Sequence, residues 1–190
     1  MAKFEDILNN HFQNCFTSLK ITSYDKENNV YMCQSKKQVI DFDNMTKKMN
    51  PKKQPSSPDA LWSDEQLNQI YSVEFKNQDK AKVKNKKVQK KAEDGRKSLD
   101  DICLVNDVSL NNYTLIYCVV YKSNPNKREY RNRYDTTSIH FGLEKFEGIY
   151  FDKVVTNNID FFTKLFIERR RKLLKKEKLE QNNISNISIK

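Results

Sequence analysis

The sequence predicts an α/β protein whose elements follow the order helix, three strands, helix, strand. Apolar residues recur at helical spacing near the N-terminus and are followed by short β-branched and aromatic runs. A long lysine-rich segment with helical periodicity then precedes a nearly continuous apolar run. The chain has 190 residues, of which 37% are hydrophobic and 32% are charged. That length is typical of one domain that buries a sizeable core and has long polar segments.

The first half of the chain contains the predicted first helix and the strands that follow it. Helical spacing of apolar residues predicts one amphipathic helix over residues 2–19. The runs VYMCQS and QVIDFD predict a hairpin or two successive strands, and residues 45–58, rich in Lys, Pro and Ser, predict a loop. The next strands are predicted in PDALW and in IYSVEFKNQ, which has the clearest strand pattern of the chain.

The second half contains a predicted basic helix, a central strand and a basic C-terminal helix. Residues 79–105 predict the first helix, although Gly95 in its middle costs about 1 kcal/mol relative to alanine. TLIYCVVYK predicts a strand covered on both faces, and SIHFGLEKF and GIYFDKVV predict further strands. We expect a domain over residues 1–157, a basic amphipathic helix over 158–181 and a disordered tail over 182–190.

Charge and composition restrict the function classes. Lys and Arg total 35 against 25 acidic residues, a net charge of +10 that favours a polyanionic partner, most often nucleic acid. Three glycines exclude Gly-rich nucleotide-binding loops, and four cysteines with two histidines have no zinc-ligand spacing. No apolar run is long enough to span a bilayer, and the N-terminus lacks the apolar core of a signal peptide. We therefore expect an intracellular protein, either cytoplasmic or, in a eukaryotic or viral setting, nuclear.

Two short motifs with acidic and basic side chains lie on two successive predicted strands, where these side chains could act together. Asp59 opens one predicted strand, while Glu74 and Lys76 lie within the next. Because alternate side chains of a strand share a face, Glu74, Lys76 and Gln78 are expected on one side, with Asp59 beside them. Hydrolysis of a phosphodiester requires a divalent cation that activates water and neutralises charge on the phosphate. Since Mg²⁺ takes few protein carboxylates, Asp59 and Glu74 with the carbonyl of Phe75 would suffice to bind it.

The other two polar residues of this pattern have predicted roles in the reaction. Lys76 could orient or deprotonate the attacking water, or stabilise the transition state. Gln78 could hold a water molecule or a phosphate. Asp41 and Asp43, on a neighbouring predicted strand, are rival carboxylates for which we favour a structural role.

Pro58-Asp59 followed by Glu74-Phe75-Lys76 and Gln78 resembles the motif of the PD-(D/E)XK nuclease superfamily. That superfamily includes restriction endonucleases, archaeal-type Holliday junction resolvases and phage exonucleases. The resemblance implies a restriction endonuclease-like αβββαβ core with a mixed sheet flanked by helices, a Mg²⁺ or Mn²⁺ cofactor and endonucleolytic hydrolysis of phosphodiester bonds. DNA is favoured over RNA because most relatives act on DNA. Many members have an acid on the first helix near the metal, and Glu5 is the matching residue here.

Basic residues outside the motif are predicted to bind the nucleic-acid backbone. They are Lys84, Lys87, Lys91, Arg169, Arg170 and Arg171. Three alternatives stay open. The first is an RNA endonuclease of the viral cap-snatching type, for which His11 would be the helical histidine. The second is a non-catalytic nucleic-acid-binding module with a degenerate nuclease fold, and the third is a membrane-surface or scaffold protein. We expect no membrane partner because the charge is spread over several segments. The oligomeric state is open and includes a homodimer.

Overall fold

A computed structural model describes residues 3–122 and 138–168 of the chain. The strands, in chain order, are β1 (Phe16–Ser18), β2 (Tyr24–Asp25), β3 (Val30–Tyr31), β4 (Gln38–Asp41), β5 (Ala60–Asp64), β6 (Gln69–Lys76), β7 (Thr114–Tyr121) and β8 (Lys153–Asn158). The helices are α1 (Phe4–His11), α2 (Leu19–Thr22), α3 (Phe42–Met49), α4 (Asn85–Val105) and α5 (Ile159–Phe162), which continues as a π-helix over Thr163–Glu168.

One mixed sheet of six strands organises the fold, in the order β1-β4-β5-β6-β7-β8. Neighbours from β1 to β6 are antiparallel, whereas β7 runs parallel to β6 and β8 runs parallel to β7. Strands β2 and β3 pair only with each other, as a separate hairpin. The predicted α/β class, with a mixed sheet flanked by helices, is confirmed.

Each face of the sheet has its own hydrophobic core. On one face, α1, α3 and α4 pack over residues that include Leu61, Ile70 and Tyr117. On the other face, α2, α5 and the π-helix pack over residues that include Val73 and Val120. Side chains of β6 therefore alternate between two buried layers, and neither face of this strand is open to solvent over residues 70–75.

The nearly continuous apolar strand was predicted correctly, and the long basic helix was predicted correctly except at its start. Residues 79–84 precede α4 and include a 3₁₀ turn over Lys80–Lys82. Strand β7 is buried on both faces over residues 115–121, as a continuous apolar run predicts. Helix α4 ends at Val105, and its buried residues recur every one to four positions, namely Val88, Ala92, Gly95, Ser98, Leu99, Ile102 and Cys103.

Within the described ranges, no helix is both long and apolar enough to cross a membrane.

The predicted helix over residues 2–19 is wrong beyond His11. A short 3₁₀ turn over residues 13–15 leads into β1, which pairs with β4 through Phe16 and Ile40. VYMCQS and QVIDFD do contain two successive strands, β3 and β4, which is one of the two arrangements predicted. They do not form a hairpin with each other, because β4 pairs with β1 and β5. That pairing buries Val39 and Ile40, whereas Val30 on the separate hairpin stays 44% exposed.

The predicted loop over residues 45–58 begins later than expected, after α3. The carboxylate of Asp41 accepts a hydrogen bond of 2.9 Å from the backbone N–H of Asn44 and so caps this helix. Phe42 and Met45 on α3 are fully buried. A cap and one apolar face are sufficient to make a short helix from a segment whose composition favours a loop.

The last third of the domain differs most from prediction. SIHFGLEKF forms no strand, because Phe141 and Gly142 adopt positive φ angles and a 3₁₀ turn follows at Glu144–Phe146. The strand predicted in GIYFDKVV starts only at Lys153. The predicted helix over residues 158–181 is described only as far as Glu168, and the predicted tail over 182–190 lies outside the described residues.

Gly95 allows α4 to approach the segment that precedes β5. A Cβ atom on this residue would lie 2.6 Å from Cδ of Pro58, well inside van der Waals contact. The glycine that lowers helix propensity therefore permits a close contact. Because Pro58 directly precedes Asp59, this contact sets how near α4 lies to that carboxylate.

We expect Gly95→Ala to lower the free energy of unfolding by about 1–3 kcal/mol, since the new methyl group would overlap Pro58. Chemical denaturation of the full chain measures this change. Glu93→Ala, at an exposed position of the same helix, is the control and should change stability by less than about 0.5 kcal/mol. A gain of about 1 kcal/mol in Gly95→Ala, as at an open helical glycine, would contradict the close contact.

Candidate functional site

Strand pairing brings the two carboxylates of the motif together. Ala60 on β5 pairs with Val73 on β6, so Asp59, one residue before β5, lies opposite Glu74. Oδ2 of Asp59 accepts a hydrogen bond of 2.6 Å from the backbone N–H of Phe75. Strand β6 is an interior strand of the sheet, and Glu74 on it is fully buried.

Lys91 on α4 bridges the two carboxylates. Its Nζ donates to Oδ1 of Asp59 at 3.1 Å and to Oε2 of Glu74 at 2.8 Å. Lys91 follows Val88 by three residues and precedes Gly95 by four, so it lies on the side of α4 that faces the sheet. It was predicted to bind the nucleic-acid backbone, but its side chain is 23% exposed and pairs with the acids.

Lys76 completes a cluster of four charges, which we call the charge quartet: Asp59, Glu74, Lys76 and Lys91. The ammonium of Lys76 contacts Oε1 of Glu74 as an ion pair, without the alignment of a hydrogen bond. The two carboxylates and two ammonium groups cancel in formal charge. The side chain of Glu74 is wholly enclosed by this arrangement, whereas the side chain of Asp59 keeps 20% of its surface exposed.

Burial and proximity shift the protonation equilibria of the quartet. Burial, followed by the negative charge of Glu74, raises the pKa of Asp59 from 3.8 to about 7, against the opposing effects of Lys91, the Phe75 N–H group and Lys76. Burial by itself would lower the pKa of Lys91, but the charges of Asp59 and Glu74 outweigh it and raise that pKa above its ordinary value. The acids thus hold Lys91 as a cation.

A hydrogen-bonded network supports the segment that precedes Asp59. The Ser57 hydroxyl donates to Oδ1 of Asp43, and the hydroxyls of Ser57 and Thr46 lie 3.1 Å apart. Asp43 lies on α3 rather than on a strand, and its charge also raises the pKa of Lys91. This carboxylate therefore ties the chain two residues before Asp59 to α3.

An open pocket of about 340 Å³ adjoins the quartet at the end of β6. Asp59 and Lys76 line one side of it, and the turn that contains Asp25 lines another. Oδ2 of Asp25 accepts a hydrogen bond of 2.8 Å from the side-chain amide of Asn77. That bond, with a second from Asn28, holds the pKa of Asp25 below its ordinary value. The pocket is therefore lined by the carboxylates of Asp59 and Asp25 and by the side chain of Lys76.

Sequence reasoning missed the contribution of Asp25 and Asn77 to this pocket. Fifty-two positions separate the two residues, and the cluster around residues 25–29 indicates only a turn. The position of Lys91 did have a signal, since it shares a helical stripe with Val88 and Gly95.

Two predicted site residues do not join the quartet. Strand β6 ends at Lys76, and the backbone N–H of Gln78 donates to the Lys76 carbonyl in a tight turn. The side chain of Gln78 is exposed at the pocket rim rather than aligned with Glu74. The backbone N–H of Glu5 lies 3.4 Å from Oε1 of Glu65, beyond the far end of β5 and about 20 Å along that strand from Asp59.

The predicted backbone-binding residues fall into three groups. Lys84 and Lys87 are exposed near the start of α4. Lys91, by contrast, belongs to the charge quartet. Arg169, Arg170 and Arg171 lie outside the described residues.

The donor set fits a hard divalent cation with few protein ligands. Oxygens of Asp59 and Glu74 already converge on one cationic atom, Nζ of Lys91, and carboxylate oxygens are ligands that Mg²⁺ and Mn²⁺ prefer. Within residues 3–122 and 138–168, no three His, Cys, Asp or Glu side chains form a group that could hold a metal ion. A cation here would thus have two carboxylate ligands and would depend on water and substrate oxygens for the rest.

Comparison of the chain with protein-family models, with curated proteins and with solved structures found no match.

We expect the contribution of Asp59 to stability to fall as pH rises from about 4 to about 7. Its pKa is raised on folding, so the native state binds the proton more tightly and loses that advantage as the group ionises. The difference in free energy of unfolding between the wild type and Asp59→Asn, measured by urea denaturation, should shrink over this range. A difference that grows with pH would show that Lys91 lowers the pKa of Asp59 instead.

Proposed function

We propose that this protein is a metal-dependent nuclease that hydrolyses phosphodiester bonds, with DNA favoured over RNA as substrate. The observation that supports it most is the convergence of Asp59, Glu74 and Lys76 beside an open pocket. These are the residues through which the sequence resembles the PD-(D/E)XK nucleases. A net charge of +10 supports a polyanionic substrate.

The roles of the residues follow from their positions. Asp59 and Glu74 would hold Mg²⁺ or Mn²⁺ through the oxygens that now face Lys91. When bound, such a cation supplies charge neutralisation at the phosphate and lowers the pKa of a bound water. The hydrogen bond from the Phe75 N–H group fixes the orientation of the Asp59 carboxylate, which is what a ligand on a flexible side chain needs.

Lys76 is the residue of the quartet that would act on the substrate. It lines the pocket with a 23% exposed side chain, while its contact with Glu74 restrains the ammonium group. A cation in this position would stabilise negative charge that develops on the phosphate oxygens, or orient the attacking water. Gln78, at the rim, is available to contact the substrate outside the reacting centre.

A non-catalytic nucleic-acid-binding module is the second candidate, supported by the charge balance of the quartet. Four charges that cancel within a buried cluster satisfy one another without any added ion. In that case the exposed lysines of α4 would bind nucleic acid and the quartet would be structural. Both candidates predict binding to polyanions, whereas only the nuclease predicts turnover that requires a metal ion.

We expect Asp59→Ala and Glu74→Ala to abolish cleavage while DNA binding is retained or strengthened, because each change removes repulsion toward phosphate. Lys76→Ala should keep metal binding but lose cleavage, since its proposed role lies in the transition state. Cleavage is measured with single-stranded, duplex and branched DNA and with RNA, each in Mg²⁺, Mn²⁺ or EDTA.

Glu93→Gln is the control for these variants, since it removes an exposed carboxylate from α4 and should leave cleavage unchanged. Gln78→Ala should have a milder effect than the changes in the quartet. A folded wild type that cleaves none of these nucleic acids in either metal would reject the nuclease and favour the binding module.

We expect Lys84 and Lys87 to contact the nucleic-acid backbone. Replacing either with Gln should lower the slope of log affinity against log salt concentration by about one unit. The dissociation constant is measured by fluorescence anisotropy at salt concentrations from about 50 to about 200 mM. An unchanged slope would show that these side chains are only solvated.

A further inference from the structure

We propose that Lys91 is an internal counter-cation that competes with a divalent metal for Asp59 and Glu74, so that its removal tightens metal binding. This inference rests on the proposed function in placing a metal at these carboxylates. It assigns to Lys91 a role that neither the motif nor the basic composition of α4 indicates.

The contacts of Lys91 place it where a metal would have to bind. One Nζ atom lies 3.1 Å from Oδ1 of Asp59, which directly precedes β5, and 2.8 Å from Oε2 of Glu74 on β6. A Mg²⁺ ion binds carboxylate oxygens at about 2.0–2.1 Å, a distance at which an ammonium between the same oxygens would overlap it. The two cations therefore exclude each other from these oxygen atoms.

Burial makes the carboxylates dependent on one cation or the other. Glu74 is fully buried, so its charge is stable there only with a cation in contact. Among the described residues, Lys76 forms an ion pair with Glu74, at Oε1, but none with Asp59 that would replace Lys91. Lys91 is thus the group that pairs with both acids in the metal-free protein.

The fold holds Lys91 in place through its helix. Gly95, one turn further along α4, lets Pro58 pack directly against the helix, and Asp59 is the next residue. Val88 and Ala92, which flank Lys91 on the same side of α4, are fully buried. The backbone of α4 is therefore fixed, while the four-carbon side chain of Lys91 can swing away when a metal arrives.

The test measures Mn²⁺ affinity of the full-length protein by isothermal titration calorimetry, without nucleic acid. Lys91→Met removes the charge and keeps the length of the side chain, and it should raise Mn²⁺ affinity about tenfold or more over the wild type. Lys90→Met is the matched control, since Lys90 is the neighbouring lysine and its side chain is 67% exposed. It makes the same change in net charge and should leave Mn²⁺ affinity as in the wild type.

A folded Lys91→Met protein that binds Mn²⁺ no more tightly than the wild type would overturn the proposal. If Lys91→Met is unfolded without metal, Mn²⁺ should restore its cooperative thermal transition, and failure to do so would also overturn it. Lys91→Arg keeps a cation between the acids and should bind Mn²⁺ no more tightly than the wild type. Tighter binding by Lys91→Arg would show that charge at this position does not control metal affinity.

Failure of this inference is distinguishable from failure of the nuclease proposal. If the wild type cleaves no nucleic acid but Lys91→Met gains Mn²⁺ affinity, the competition between Lys91 and the metal is supported and the nuclease activity is rejected. If the wild type cleaves DNA and Lys91→Met shows no gain in Mn²⁺ affinity, the nuclease activity is supported and the competition is rejected.

Discussion

The fully buried carboxylate of Glu74 is the constraint around which the site is arranged. It lies on an interior strand, between β5 and β7 and beneath α4, where an unpaired charge would cost several kcal/mol. Lys91 reaches it from the helix and Lys76 from the same strand. Asp59, directly opposite, then becomes the acid with the raised pKa, because both burial and the charge of Glu74 disfavour a second negative charge. Burial and the charge of a neighbouring acid thus together raise the pKa of Asp59.

Close packing of α4 on the segment that contains Pro58 fixes the position of Lys91 relative to Asp59. A side chain at position 95 would separate the helix from Pro58, and Lys91, one turn away, would move with it. On the opposite side, Ser57 is tied to Asp43 on α3. The segment that ends in Asp59 is therefore held between two helices, and the hydrogen bond from the Phe75 N–H group fixes its carboxylate against β6.

Features that depend on local pattern were predictable from sequence, and features that depend on long-range pairing were not. Strand β7 and helix α4 follow from apolar runs and periodicity, and Glu74 and Lys76 share a face because they are two residues apart on a strand. The hydrogen bond between Asp25 and Asn77 depends on where a distant turn lies, which no local pattern encodes. The expected position of Glu5 near the metal site was wrong for the same reason, since α1 packs near the far end of β5. Lys91 was expected to contact the nucleic-acid backbone because a lysine side chain suggests exposure to solvent, although its position in the helical stripe indicated the interior.

The free energy of burying ion clusters indicates whether the quartet serves mainly to stabilise the fold. Replacing a buried ionic cluster with apolar residues of similar volume is often neutral or stabilising, so the quartet is poorly explained as a device for stability. Its placement agrees with the proposed function, since the cluster borders an open pocket and the side chain of Asp59 keeps part of its surface exposed. In the metal-free state the formal charges of the quartet cancel when Asp59 is ionised, and a divalent cation that displaced Lys91 from the acids would leave the site with an excess of positive charge. Under the proposed function, a phosphodiester would then meet a stronger attractive potential at the quartet in the metal-bound protein, which would couple substrate binding at this site to the presence of the metal.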